Sequence, residues 1–534
     1  DRLKTISNFS GSAGFAIILK KENFLFVDGR YTLQAQIQSG NYYKIIEIPK
    51  FSLKNTLKKC KKKLLLGFDP QLFTNSLIKR NFNNIFNLLP IEENFIDKIH
   101  KEKNKNFVNS FYSLNNKVTG ESINSKINRL VAKIKSNNIE NIFVSSPENV
   151  AWLLNLRGRD NPNSPIPNCK IILTDKKKIY FFSCPKKINQ IKKNKQYKNL
   201  IFCTYKDFSK VIYKLKGKNF CIDNLTCSIS NESIISKSFR IKLKTDPCYM
   251  MKSIKNKIEI KHTKDAHFKD GLALTKFIFW IKNINQKKIT EIEAKNKLEK
   301  FRRLDKDYLF PSFDTIAGTG SNGAIIHYRV NKKSNKVIKK NDIFLCDSGG
   351  QYNYGTTDVT RTICFSEQKK SIKDAFTNVL KGHIAVAQTN LNKINTGKKI
   401  DASARKFLNR DGLDYAHGTG HGVGFFLNVH EGPQSISKYN SVKIKEGMIL
   451  SNEPGYYKKG HYGIRIENLV YVKKNKKNLQ FENLTLAPIE AKLINYKLLS
   501  KSEKDYLFKY HLTIYSMYYK FLNMKERKWL ASLI

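Results

Sequence analysis

The residues able to do chemistry concentrate between His327 and Glu467. Asp347 follows the apolar run Ile343-Phe344-Leu345-Cys346, and a carboxylate at the end of a buried strand is costly unless a cation meets it. Asp358 lies eleven residues on, in Gly355-Thr356-Thr357-Asp358-Val359-Thr360-Arg361, beyond the turn-like stretch Gly349-Gly350-Gln351-Tyr352-Asn353. A hairpin centred between Tyr352 and Asn353 sets the two Asp opposite each other, about 5 Å apart. Like charges that close need a proton or a metal between them. At this point the other reading, one Asp capping the turn and the other solvated, stays open. Glu453 and Glu467 repeat the logic. Glu453 follows the apolar run Met448-Ile449-Leu450, Glu467 lies in Gly463-Ile464-Arg465-Ile466-Glu467-Asn468, and their midpoint, Gly460, falls in the natural turn Lys458-Lys459-Gly460-His461. Alternation puts Arg465 and Glu467 on one strand face and Ile464 and Ile466 on the other. Read alone, Glu467 is equally a strand-face acid paired with Arg465.

A histidine cluster stands between the two pairs: His417-Gly418-Thr419-Gly420-His421-Gly422-Val423-Gly424, with His430 nine residues past His421. Its glycines argue against a helix, hence against an H-E-x-x-H site, and let backbone and imidazole approach a ligand closely. A lone histidine is commonly structural, and His327, in Ile325-Ile326-His327-Tyr328, alone reads as a core residue. Three histidines threaded with glycine point instead to function. Four carboxylates would balance two divalent ions. An oxygen-rich set with one histidine suits Mn²⁺ more than a thiolate-loving metal, with Zn²⁺ and Co²⁺ as competitors. Two such ions about 3.5–4 Å apart can hold a hydroxide and polarise a carbonyl. The chemistry implied is metal-assisted hydrolysis.

The elements that must position these residues read as α/β. At about 150 residues per domain, a chain of 534 residues holds roughly three to four domains. Phe15 to Leu19 and Phe24 to Val27 form a hairpin signal, and a helix-like stretch, Tyr31 to Gln38, follows Asp28-Gly29-Arg30. A second segment repeats the style, with a helix over 123–134, a strand over 141–145, a helix opened by Pro147, and a hairpin from Ile171 to Phe182. From Met250 a long helix-like stretch runs to about Ile284, and Thr290-Glu291-Ile292-Glu293 reads as a capping box. The Tyr- and Leu-rich end, 484–534, is expected to pack onto the preceding domain or a partner subunit.

The charge is +53, from 97 Lys+Arg against 44 Asp+Glu, which raises a nucleic-acid reading. The lysines are scattered in twos to fours over the whole chain and build no single arm, so no specific nucleic-acid partner is expected. No run approaches the ~18 apolar residues of a membrane span, and no membrane association is expected. Nine cysteines without C-x-x-C spacing argue against a disulfide framework or zinc knuckle and fit a reducing cytoplasm.

In the order Asp347, Asp358, His421, Glu453, Glu467 the chain resembles the pita-bread metallopeptidase family, which includes methionine aminopeptidase, prolidase, creatinase and aminopeptidase P. Its local text is similar to the long, three-domain aminopeptidase P branch. The text in question is Asp347-Ser-Gly-Gly-Gln-Tyr, Gly355-Thr-Thr-Asp-Val-Thr-Arg-Thr, the His417 cluster, Asn452-Glu-Pro-Gly-Tyr-Tyr and Gly463-Ile-Arg-Ile-Glu-Asn. Gly11-Ser12-Ala13-Gly14 and Asp28-Gly29-Arg30-Tyr31 resemble the first domain of that branch, and Trp152 to Arg157 its second. The resemblance implies two creatinase-type N-terminal α/β domains, at 1–113 and 114–248. A pita-bread catalytic domain at 249–475 and a C-terminal extension at 476–534 would follow. The family's opening strand and helix have no counterpart, so the start is expected to be truncated within the first domain.

Roles follow from the same resemblance. Asp358 and Glu467 would bridge two divalent ions, Asp347 would bind one, and His421 and Glu453 the other. A hydroxide between the ions would attack the scissile carbonyl, with Glu453 passing a proton to the leaving proline nitrogen. His327 and His430 would contact substrate and stabilise the oxyanion. His417 would shape the proline side of the pocket, Arg465, assisted by Tyr457, would hold a ligand carboxylate, and Arg30 would contact substrate. The implied activity is removal of an N-terminal residue that precedes proline, by a homodimer. Prolidase, creatinase and a non-catalytic binding module of the same fold are the alternatives, and the last is disfavoured because all five ligand positions are filled.

Overall fold

The computed structural model describes the chain except residues 1, 49, 52, 58–63, 83–85, 100–109 and 284–287, together with the side chains of 54 and 55. Of the polar stretch Asn104 to Asn116, which the sequence sets just before and at the first domain boundary, residues 104–109 lie outside the described residues, as does Cys60. The described chain forms two compact units, Asp1–Lys252 and Ser253–Ile534.

In the first unit the strand Gly14–Ile18 pairs antiparallel with Asn23–Asp28, which pairs in parallel with Lys44–Ile48. The helix Thr32–Ser39 makes the crossover. Alternation sorts the central strand: Leu25 and Val27 pack with Phe9, Tyr31 and Ala35, while Phe24 and Phe26 pack with Ile17, Leu53, Leu57 and Phe82. A six-stranded mixed sheet follows, in the order Leu200–Cys203, Ile179–Phe182, Lys170–Thr174, Asn141–Val144, Asn219–Ile222, Arg240–Leu243. The helix Ile123–Lys135 starts where Ser122 accepts from the Ser125 amide, and Pro147 opens a helix as proline at a first helical position predicts, though it ends at Leu153 rather than at the expected Leu156, which begins a strand.

The second unit departs from the sequence reading at its entrance. The expected single helix from Met250 is broken, and the long helix begins only at Lys257 and runs to Asn283. Asn256 forces the restart: its Oδ1 accepts from the amides of Ile258 and Glu259, while Glu259 Oε2 accepts from the Asn256 amide. The Thr290–Glu293 capping box is present and opens the helix Glu291–Arg302. These helices cover one face of a three-stranded antiparallel sheet, Ile316–Thr319, Ile343–Ser348, Val359–Cys364. Phe344, Cys346, Val359 and Ile363 point into that cover. The alternate residues, Leu345, Asp347, Thr360 and Thr362, therefore face the other way.

A five-stranded sheet supplies the facing layer, ordered Glu431–Ile436, Gly420–Gly422, Ile449–Asn452, Asn468–Asn475, Asn478–Asn483. A Cβ at Gly420 would collide with Ser451 O, so glycine there lets the histidine-bearing strand lie close to its neighbour. The helices Lys370–Ala387 and Gly397–Asn409 pack on each other outside this layer. The helix Lys501–Tyr518, started by a Ser500–Glu503 capping box, joins the core that holds Ile464 and Ile466.

Candidate metal centre

The two carboxylate pairs arise differently from strand pairing. Gly455–Lys458 pairs with Tyr462–Arg465 around a turn at Gly460, and Asn452 pairs with Asn468 in the same register. Glu453 and Glu467 thus stand opposite each other just past both ladders, as their midpoint predicts. The first pair is offset. Asp347 lies opposite Thr360, not Asp358. The two strands run on in one register into the pairing of Gly350–Tyr352 with Gly355–Thr356, so the hairpin turns at Asn353 and Tyr354; Gly350–Tyr352 also pairs with Tyr308–Pro311. The turn centre thus lies one residue later than the midpoint of the two Asp, which offsets the pairing by two residues and makes Asp358 a diagonal neighbour of Asp347.

The five residues nevertheless converge. Three overlapping groups have ligand atoms within 4.8 Å of one another: Asp358, His421 and His430; His421, Glu453 and Glu467; and Asp347, Asp358 and Glu467. Asp347, Asp358 and Glu467 are buried. His421 Nε2 lies 3.5 Å from both Asp358 Oδ2 and Glu453 Oε1. Its Nδ1 contacts Gly422 O at 2.9 Å, and a carbonyl only accepts, so Nδ1 carries the proton. In the neutral ring the Nε2 lone pair then faces two carboxylates.

Burial, then the charges of Asp347 and Glu453, pushes Asp358 well above the usual carboxylate range. Burial, then Asp358 and Glu453, does the same to Glu467, and burial raises Glu453. Among the described residues Asp347 Oδ1 and Glu467 Oε1 are buried without a hydrogen-bond partner. Orphaned carboxylate oxygens, an inward imidazole lone pair and mutually repelling acids are what two hard or borderline divalent cations would satisfy.

The opposite oxygens are already held. Arg465 Nη2 donates to Asp347 Oδ2 at 2.5 Å and Nη1 to Tyr457 Oη at 2.6 Å. Ser451 Oγ donates to Glu453 Oε1 at 3.0 Å. His417 Nδ1–H meets Gly418 O at 2.8 Å, leaving Nε2 to accept from the Tyr457 hydroxyl at 2.9 Å. His430 is exposed, its ring centre 3.9 Å from that of His421. His327 is half-buried in the turn after Gly320–Ala324 and belongs to none of the three groups. Arg30 belongs to the first unit, where Asp28 holds its guanidinium.

Two contributors escaped the sequence reading. Thr360 Oγ1 donates to Glu467 Oε2 at 2.7 Å and accepts from Arg465 Nε at 3.0 Å. Its signal was the period-two step from Asp358. Arg361, 1% exposed, donates to Glu467 O at 2.6 Å, Asn468 Oδ1 at 2.8 Å, Ala487 O at 2.8 Å, Pro488 O at 2.9 Å and Tyr510 Oη at 2.9 Å. No sequence pattern announces those acceptors, which come from distant segments.

Residues 261–474 match metallopeptidase family M24, residues 101–259 the creatinase/prolidase N-terminal domain, and residues 477–533 the C-terminal region of the M24 peptidases. The chain belongs to metallopeptidase family M24, and its fold is creatinase-type α/β followed by a pita-bread domain. It is 37% identical over 537 residues to "Probable Xaa-Pro aminopeptidase P" of Laccaria bicolor, covering 95% of this chain and 83% of the relative. It is 35% identical over 574 residues to Xaa-Pro aminopeptidase 1 of Dictyostelium discoideum, covering 100% and 90%. The crystal structure of X-prolyl aminopeptidase from Caenorhabditis elegans, described as a cytosolic enzyme with a di-nuclear active site, superposes with a TM-score of 0.92 at 30% identity, covering 100% of this chain and 91% of that one.

Proposed function

We propose that this chain is an Xaa-Pro aminopeptidase, a metallopeptidase that releases the N-terminal residue from peptides with proline in second position. The observation that carries the reading is the convergence of four carboxylates and one imidazole, with orphaned oxygens facing inward, in a chain similar end to end to such enzymes. Asp358 and Glu467 would bridge two divalent ions, with Asp347 on one and His421 and Glu453 on the other. Two ions held there supply a nucleophilic water at neutral pH and polarise the scissile carbonyl.

The protein's own groups do the rest. Glu453, raised by burial, carries a proton to the leaving proline nitrogen. His327 and His430 donate to the developing oxyanion. His417, held by Tyr457, shapes the proline side, and Arg465 fixes Asp347. Arg30 contacts substrate. A prolyl bond is a tertiary amide without an N–H, so recognition falls to a pocket shaped for the ring.

Mn²⁺ is the metal we favour, from the oxygen-rich donor set. We further propose a homodimer and a cytoplasmic enzyme. The cytosolic Caenorhabditis relative supports the compartment, and no described helix is long and apolar enough to cross a membrane. The domain limits we propose are 1–113, 114–248, 249–475 and 476–534.

The test is hydrolysis of an Xaa-Pro-Yaa tripeptide beside an Xaa-Pro dipeptide by chelator-stripped protein, with and without Mn²⁺. Tripeptide cleavage restored by Mn²⁺ is expected. Cleavage of the dipeptide alone would make the chain a prolidase. Replacing Asp358 by Ala should abolish the activity, and unchanged turnover would refute the site assignment.

A further inference from the structure

We infer that Asp401 and Arg405 are positioning residues that clamp the glycine-rich loop from His417 to His421, an inference that rests on the activity proposed above. Neither residue belongs to the groups that converge on the metal centre. They sit one turn apart on the helix Gly397–Asn409, both buried, with Arg405 Nε donating to Asp401 Oδ2 at 2.8 Å. Each grips a different part of the loop. Arg405 Nη1 donates to Asp414 Oδ1 at 2.6 Å and Tyr415 O at 2.8 Å, and Nη2 donates to His417 O at 2.5 Å. The guanidinium carbon lies 3.9 Å from the centre of the Tyr415 ring. Asp401 Oδ1 accepts from Thr419 Oγ1 at 2.6 Å and from the Thr419 amide at 3.3 Å.

From there two separate arms reach the reacting groups. On the Arg405 arm, His417 accepts from Tyr457, whose hydroxyl also accepts from Arg465. On the Asp401 arm, Thr419 O accepts from the Glu453 amide at 2.8 Å. Gly418, Gly420 and Gly422 give this loop its close approach to neighbouring backbone but no side chains to fix its course. A buried ion pair is a poor source of stability, because desolvation offsets its attraction. Here the planar, five-donor guanidinium of Arg405 sets two backbone carbonyls, of Tyr415 and His417, and the Asp414 carboxylate at once, which a lysine could not do. The arms also divide the work: Arg405 governs the residue proposed to line the proline pocket, and Asp401 the residue proposed to move the proton.

The experiment measures steady-state hydrolysis of the Xaa-Pro-Yaa tripeptide, with Mn²⁺ present, together with amide hydrogen exchange over residues 416–422. The full-length variants are Arg405→Gln, Asp401→Asn and Thr419→Val. Arg405→Gln is expected to raise KM about tenfold with kcat within about twofold, and Asp401→Asn and Thr419→Val to lower kcat about tenfold with KM within about twofold. Loop exchange should quicken about tenfold in each. Folded variants whose kcat, KM and loop exchange all match the parent would overturn the inference. Should the two ion-pair variants fail to fold by circular dichroism, Thr419→Val, which keeps the side-chain volume, decides. A parent protein that cleaves no Xaa-Pro peptide would refute the proposed activity, while loop exchange would still judge the clamp.

Discussion

One hydroxyl joins two charged groups at the heart of the cluster. Thr360 donates to Glu467 and accepts from Arg465, which itself holds Asp347. Thr360→Val keeps the volume but strands a buried carboxylate oxygen and a guanidinium N–H. Partners that orient metal-binding groups typically matter about 10–100-fold, so kcat/KM and metal affinity should both fall by about that factor. Calorimetric metal titration beside tripeptide kinetics checks this, and a variant with parental affinity would show that Glu467 is oriented without the threonine.

At the scale of elements, alternation does two tasks in one strand. Arg465 and Glu467 face the carboxylates, while Ile464 and Ile466 enter the core closed by the helix Lys501–Tyr518 at Leu507, Tyr510 and Ile514. Ile514→Ala should cost about 2–5 kcal/mol, as other buried Ile-to-Ala truncations do, and should loosen the hairpin behind Glu467. Urea unfolding measures the first effect. The same hairpin shows what was legible in sequence. Its strands close directly over Gly460, so a midpoint count found the Glu453–Glu467 register. The count failed for Asp347 and Asp358 because that hairpin turns between Asn353 and Tyr354, one residue past their midpoint, a position that nothing in Gly349-Gly350-Gln351-Tyr352-Asn353 singles out. The clamp at Asp401 and Arg405 was invisible for another reason. An i,i+4 Asp–Arg pair on an amphipathic helix reads as a surface ion pair until a distant loop is seen to need it. Asn256 likewise looked like helix interior, and only its reciprocal bonds with Glu259 reveal a cap.

Across the whole molecule, buried histidines set the acid limit. Burial pushes His511 down to about 4 and His383 down to about 3. His511 Nε2 accepts the Ile489 amide proton, which only the neutral ring can do. Below about pH 6.5 the unfolded chain binds protons that the folded one refuses, so stability rises with pH in this window. It is fully present above that value and lost as pH falls towards 4 and then 3, by up to about 1.4 kcal/mol per unit for each ring. Thermal midpoints between pH 7 and 5 read the slope. His511→Gln, whose amide oxygen can accept the same proton, should flatten it. Arg361 carries a consequence of another kind. Its buried charge meets acceptors at Glu467, Asn468, Ala487, Pro488 and Tyr510, so residues far apart in the chain complete one coordination sphere. During synthesis all five candidate ligands emerge before Tyr510 does. A nascent chain paused between them would possess every donor and still have a buried cation without its cage. The order of assembly thus leaves the Arg361 cage open until the helix Lys501–Tyr518 has been made. A released chain ending at Asn495 should therefore bind Mn²⁺ more weakly than the full-length protein, and equal affinity would mean that the centre forms without its cage.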